Sequence, residues 1–226
     1  MWRCMNCACL NTGSRCHSCG SLEDTDGQLA GGPWIFDDVC LEQAGITRWL
    51  RDSARFEEER HGEDTFCLAH LPEDVRRWVI EPVSARIRPV IRGAVVTRYA
   101  FGRLSTESGD ATLRIHTDAG MGTDLAWVWY GGQAMTEESG TAFFRHAVHG
   151  RSFRGRDDPE EHDRLLREAS SDLSQWTRYW IAPMEPNRLV VYPASLFHAR
   201  WPAAGWGRDQ RDGRVVIVGF CDRETG

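Results

Sequence analysis

Between residues 94 and 220 the chain is a succession of short β-rich runs broken by Gly, Pro and polar turn residues. Ala94–Ala100, 112–118, Leu125–Tyr130, Gly140–Arg145, Trp176–Ile181, Arg188–Tyr192 and Arg214–Phe220 each have the length and the β-branched or aromatic content of a strand. Many short strands with frequent turns close into a sandwich or jelly roll. Only the charged stretch 154–175 interrupts them, as a loop or exposed helix. Upstream the texture differs. Asp37 or Asp38 can cap a helix, 39–60 is helical in pattern, and Pro72-Glu73 open a second helix toward Trp78 that Pro82 breaks or kinks. The reading is a mainly β fold with flanking helices: a helical part over 34–93 and a jelly-roll core over 94–222.

Within that core, Leu113-Arg114-Ile115-His116-Thr117-Asp118 alternates as a strand does. Side chains two apart share a face, so His116 and Asp118 present an imidazole and a carboxylate side by side. These are two parts of a two-His-one-carboxylate set, which suits Fe(II) and leaves coordination positions open. The pattern alone has little specificity, because a strand histidine beside a turn aspartate is common. His61 and His70 read as surface or core residues, and His146 and His149 as rim histidines more readily than as substrate contacts.

Eight cysteines are unevenly spread, five of them in the first nineteen residues. Cys4-x2-Cys7 and Cys16-x2-Cys19 form two knuckles with the spacing of a tetrahedral structural Zn(II) site. A segment this short buries no core, so the metal would supply its folding energy. The sequence therefore divides into a zinc knuckle over 1–22, a Gly/Asp/Glu-rich linker over 23–33 ending in Gly31-Gly32-Pro33, and a globular domain over 34–226. Net charge is −6 with 27 basic residues, all of them Arg. Net charge gives no indication of nucleic-acid binding. No apolar run approaches the ~20 residues of a membrane span, and no hydrophobic leader opens the chain; the expected location is cytoplasmic.

A third metal ligand has to come from a distant strand. The run Asn187–Tyr192 leads through Pro193 to His198, and sixteen residues later Arg214 opens the strand Arg214–Phe220. Arg214 shares a face with Val216, Val218 and Phe220, where a buried guanidinium requires an anionic partner. Arg208 and Arg211 are rivals in a polar loop.

His116-Thr117-Asp118, Gly140-Thr141-Ala142-Phe143, the run to His198 and Arg214 together resemble the 2-oxoglutarate/Fe(II)-dependent dioxygenases. The resemblance covers about residues 94–222 and implies a double-stranded β-helix. It implies Fe(II) held by His116, Asp118 and His198, with Arg214 on the distal carboxylate of 2-oxoglutarate and O2 as co-substrate. Where family members often carry Ser or Thr two residues after the arginine, this chain has Val216. Tyr99 is the expected substitute hydroxyl. Asp118 fills the position that is Ala or Gly in the halogenating branch, which favours hydroxylation with release of succinate and CO2. The Trp beside the first knuckle and Asn11 resemble a RanBP2-type zinc finger or small zinc ribbon, with a shorter loop. Trp201, Trp206 and Arg114 are the expected substrate contacts. The substrate would be a small molecule or a macromolecule presented by the knuckle. The alternative is a non-catalytic protein- or nucleic-acid-binding module that uses the knuckle on a degenerate scaffold.

Overall fold

The computed structural model describes residues 2–3, 10–11, 33–61, 64–91, 94–108, 113–132, 138–148, 150, 159–203 and 206–223. Cys4, Cys7, Cys16 and Cys19 lie outside the described residues, as does His149. Two short strands, β1 (Trp2–Arg3) and β2 (Leu10–Asn11), pair near the start. Then follow β3 (Trp34–Phe36), α1 (Gln43–Arg48) running into a π turn (Trp49–Ser53), β4 (Glu57–His61), β5 (Asp64–His70) and α2 (Glu73–Ile91). The rest is β6 (Val95–Ser105), β7 (Leu125–Tyr130), β8 (Gly140–His146), α3 (Pro159–Ala169), β9 (Trp176–Pro183), β10 (Arg188–Pro193), β11 (His198–Trp201) and β12 (Arg214–Arg223). Among the described residues no helix is long and apolar enough to cross a membrane.

A seven-stranded antiparallel sheet runs β3-β10-β7-β12-β6-β5-β4, and a three-stranded sheet runs β11-β8-β9. Period-two alternation sorts their side chains into layers. Ala126, Val128 and Tyr130 of β7 pack with Phe143, Ala182, Val190, Tyr192, Val216 and Val218, joining the two sheets into one core. The alternate residues Leu125, Trp127 and Trp129 point the other way and pack with Val75, Val79, Val83 and Ile87 of α2. Gly219 lies opposite Trp127 in the β12–β7 register. A Cβ there would come within 2.1 Å of the indole, so the glycine lets the ring lie against the sheet. Behind the small sheet, Ala142, Phe144, Phe197 and Ala199 pack against Ala169 of α3 and against Leu113 and Ile115.

Three expectations change. The helix over 39–60 is one short helix and a π turn, followed by the charged edge strand β4. The helix from Glu73 does not stop at Pro82; α2 continues through Pro82 and Pro89. Two prolines in a helix interior cost about 6 kcal/mol together at ~3 each, whereas burying four aliphatic side chains contributes roughly 6–12 kcal/mol at ~1.5–3 each. Val75, Val79, Val83 and Ile87 are all at most 2% exposed, so packing offsets the local cost. The strand over 112–118 contracts to an extended segment with one bridge, between His116 and His198. Two further amides pair elsewhere: Ile115 N–H donates to the Ser170 carbonyl and Asp118 N–H to the Ala194 carbonyl.

Candidate metal centre and adjoining cavity

The alternation survives in that segment. Leu113 and Ile115 are buried toward α3, while His116 and Asp118 line the cavity between the sheets. The single bridge places His116 beside His198, with the backbone N–H of each donating to the carbonyl of the other at 3.0 and 2.9 Å. Asp118 closes the group from the turn that follows. One ligand atom from each of His116, Asp118 and His198 lies within 4.8 Å of the others. Asp118 Oδ1 is 3.8 Å from His116 Nε2, and Oδ2 is 3.3 Å from His198 Nε2.

Both imidazoles are oriented from behind. His116 Nδ1 lies 3.0 Å from the Arg114 carbonyl, and His198 Nδ1 lies 2.9 Å from the Leu196 carbonyl. A carbonyl can only accept, so each Nδ1 carries a proton and each Nε2 is left facing the shared point. Burial, and next the charge of neighbouring His198, hold His116 down at about 4, although one side of its ring still opens to the cavity. Burial works against an ionised Asp118, but His198 and His116 outweigh it and its carboxyl stays below the usual range. The donors near neutral pH are thus one neutral imidazole from His116, the imidazole of His198 and one carboxylate. That set fits a divalent first-row metal such as Fe(II).

Tyr192 belongs to this group, and motif reading missed it. Its hydroxyl donates to Asp118 Oδ2 at 3.3 Å and lies 3.2 Å from His198 Nε2. Burial and the Asp118 charge push its phenol well above the ordinary value, so it remains a donor. Strand alternation could have found it: Leu189 and Val191 of β10 face α2, so Val190 and Tyr192 face the space between the sheets.

The triad lines a cavity of about 760 Å³ that also includes Arg214, Thr141, Val218 and Phe220. Arg214 is 3% exposed. Its guanidinium carbon lies 5.7 Å from the ring centre of Tyr130 and 5.6 Å from that of Trp206. Tyr130 Oη and Thr141 Oγ1 share a 2.6 Å hydrogen bond, and Tyr130 is also bonded to Arg214. Both hydroxyls therefore lie beside Arg214, where Val216 offers none. Tyr99 is not near it: the register sets it against Phe220, six residues along β12 from Arg214, or roughly 20 Å at strand spacing. It lines the mouth of the cavity, about half exposed. Arg208 and Arg211 are exposed in the loop before β12.

The expected substrate contacts are also placed elsewhere. Trp201 packs on Phe144 and under the Arg178 guanidinium. Trp206 is buried between Arg200 and Arg214, behind the cavity wall. Arg114 is exposed, and its carbonyl orients His116. His146 is buried against Trp176, away from the cavity. The residues that do form the mouth, Glu59, Phe66, Leu68 and His70 of the β4–β5 hairpin with Arg98 and Arg103 of β6, carry no motif.

No protein-family profile and no curated protein matches the sequence. Solved structures do match in fold. SnoN, a non-heme alpha-ketoglutarate-dependent epimerase from nogalamycin biosynthesis, superposes with a TM-score of 0.58 at 14% identity, over 86% of this chain and 79% of its own. SnoK, an alpha-ketoglutarate-dependent carbocyclase from the same biosynthesis, gives 0.58 at 15%, over 84% and 79%. HygX from Streptomyces hygroscopicus, solved with nickel and 2-oxoglutarate, gives 0.53 at 12%, over 85% and 83%. The chain shares the fold of 2-oxoglutarate/Fe(II) oxygenase-family proteins at low identity.

Proposed function

We propose that the protein is an Fe(II)- and 2-oxoglutarate-dependent oxygenase that hydroxylates a C–H bond of its substrate. The observation that carries this reading is the convergence of His116 Nε2, Asp118 and His198 Nε2 in one cavity with buried Arg214. His116, Asp118 and His198 would hold the metal, and Arg214 with the Tyr130–Thr141 hydroxyl pair would take the distal carboxylate of 2-oxoglutarate. When bound, the iron and its cosubstrate supply the O2 chemistry: one oxygen atom enters the substrate and the other enters succinate, with loss of CO2.

The chain's own residues do the rest. The Arg114 and Leu196 carbonyls hold both imidazoles in the metal-binding tautomer. Tyr192 fixes the Asp118 carboxylate by donating to Oδ2, so that the carboxylate would meet the metal in a defined orientation. Val218, Phe220, Phe101 and Val128 make the walls apolar, excluding water and strengthening the charge pairing of Arg214 with a carboxylate. The test is succinate formation from 2-oxoglutarate with Fe(II), against chelated protein and a His116→Ala variant. With a turnover substrate, label from 18O2 in the product separates hydroxylation from the epimerisation and carbocyclisation named for SnoN and SnoK. No Fe(II)-dependent succinate with any of a broad substrate panel, together with no 2-oxoglutarate binding, refutes the reading.

A further inference from the structure

Three parts meet around the Arg214 guanidinium. Arg214 itself is the first residue of β12, Tyr130 is the last of the neighbouring strand β7, and Trp206 opens the loop that runs into Arg214. That loop is braced on itself. The Arg208 and Asp209 N–H groups donate to Asp212 Oδ1 at 2.7 and 3.0 Å, and Gly213 N–H donates to the Asp209 carbonyl at 2.7 Å. At its start, Glu107 N–H donates to the Gly207 carbonyl at 3.0 Å. At its end, the π turn after α1 takes hold. Arg51 Nη1 donates to the Gln210 carbonyl at 2.9 Å and to the Arg211 carbonyl, and it reaches the carbonyl of Gly213, the residue before Arg214, at 3.4 Å. Gln210 Nε2 returns a bond to the Arg51 carbonyl at 2.9 Å. The same helical element also grips the end of β7. Thr47 Oγ1 and Gln43 Nε2 both donate to the carbonyl of Gly131, which follows Tyr130 directly, at 2.5 and 3.1 Å. Arg51 Nη2 lies against Gly132, where a Cβ would come within 3.2 Å of it. Gln43, Thr47 and Arg51 are not among the residues that line the cavity. A π turn is a rare element that concentrates at functional sites, and this one carries Arg51.

We infer that Arg51 and Thr47 are positioning residues for the cosubstrate anchor: from outside the cavity they fix the two strand ends that bring Arg214 and Tyr130 together, and so set the affinity for the distal carboxylate of 2-oxoglutarate. This rests on the oxygenase reading, in which Arg214 takes that carboxylate. A bidentate pair needs the guanidinium fork within about 0.5 Å of its productive place, which supporting hydrogen bonds have to secure. Bonds from a guanidinium to carbonyls are charge-assisted, and Arg51 makes them to the turn that delivers Arg214. Without them the turn shifts or samples several positions, and part of the binding energy of the carboxylate goes into reordering it. His116, Asp118 and His198 come from other elements, the segment over 113–118 and β11, so metal binding is independent of this clamp.

The experiment uses full-length protein loaded with Ni(II). Calorimetry reads the affinity for 2-oxoglutarate and for 2-oxovalerate, which keeps the chelating keto acid and lacks the distal carboxylate. The variants are Arg51→Met, Arg51→Lys and Thr47→Val, with Ile87→Ala as a control that loses only core packing under α2, and circular dichroism establishes folding. Arg51→Met should weaken 2-oxoglutarate about fivefold or more, the size of coupling within one hydrogen-bonded network, and leave 2-oxovalerate and Ni(II) within about twofold. Arg51→Lys should recover part of the loss, because an ammonium still donates to carbonyls but lacks the fork. Thr47→Val should weaken 2-oxoglutarate in the same selective way. In an Arg214→Ala background, Arg51→Met should add nothing, since its effect runs through that guanidinium. If Arg51→Met does not fold, Arg51→Lys and Thr47→Val carry the same comparison. Folded variants that bind 2-oxoglutarate like wild type overturn the inference. So does a loss shared equally by 2-oxovalerate or by Ile87→Ala, or one that persists in full without Arg214, each of which marks a merely structural role. If wild type with metal does not bind 2-oxoglutarate at all, the oxygenase reading itself has failed.

Discussion

Replacing Arg214 with alanine removes a guanidinium that is 3% exposed, flanked by the Tyr130 and Trp206 rings, and aimed into the cavity beside Thr141. Because the fork is already held by those rings, little side-chain entropy is spent when a carboxylate arrives. One hydrogen bond to a charged partner is worth about 1.5–3 kcal/mol, and about 1.4 kcal/mol is a factor of ten. Losing a single such bond therefore weakens 2-oxoglutarate roughly 10- to 100-fold, and losing the bidentate pair weakens it further. Metal affinity without cosubstrate should stay within about twofold, since Arg214 is not among the three ligating side chains. Arg214→Lys should restore part of the loss, because an ammonium lacks the planar fork. The assay is anaerobic titration of 2-oxoglutarate into the metal-loaded protein, with Arg208→Ala and Arg211→Ala as exposed controls and circular dichroism to establish folding. An Arg214→Ala protein that is folded and binds 2-oxoglutarate like wild type, while a loop variant does not, refutes the assignment of the carboxylate anchor.

Asp118→Ala should abolish stoichiometric Fe(II) binding, as measured by metal analysis after gel filtration, because it removes the anionic donor. Tyr192→Phe keeps the ring but deletes the hydroxyl donated to Asp118; a roughly 10- to 100-fold loss of metal affinity is expected for an outer partner of this kind, and unchanged affinity in a competition titration would show the bond to be idle. Ile87→Ala should cost roughly 2–5 kcal/mol by denaturant unfolding, since the side chain is 1% exposed under α2. The Arg188 pair to Asp37 lowers the Asp37 carboxyl below its usual value. Its contribution is present above the unfolded carboxyl value near pH 4 and fades as the pH falls through the lower folded value; at this exposed position it amounts to about 0–1 kcal/mol, read as the stability difference from Asp37→Asn at pH 7 and pH 3. Zinc at one equivalent in full-length protein, lost in Cys4→Ser and Cys16→Ser but kept in His116→Ala, is the expected signature of the N-terminal knuckle.

How much of this was legible depended on whether the cause was local. His116 and Asp118 could be paired because strand periodicity is a local property, and it persisted even where the strand shrank to one bridge. Trp127 and Trp129 share a face for the same reason, and both are buried toward α2. The course of α2 through Pro82 and Pro89 was hidden because its stabilisation comes from a sheet formed by residues far downstream. By pattern the charged run 57–60 ends the helix expected over 39–60; it is a strand because β5 pairs with it, and charge is what an outermost strand carries to discourage further pairing. Arg103 could not be singled out from among 27 arginines, since only the β6–β12 register shows which way it points. Tyr99 was misplaced for the complementary reason: a tyrosine upstream of the metal pair is visible in the sequence, but its distance along β12 from Arg214 is not.

The β4–β5 hairpin ends the large sheet and is joined to it only through β6. It supplies Glu59, Phe66, Leu68 and His70 to the cavity mouth and no ligand to the triad. The cavity lining is therefore drawn from two separate parts of the chain. On the oxygenase function proposed above, substitutions or a change of length in that one peripheral hairpin would retarget the protein to a different compound while His116, Asp118, His198 and Arg214 go on unaltered. In a lineage under pressure to modify new molecules, that hairpin is where descendants of this chain should differ most.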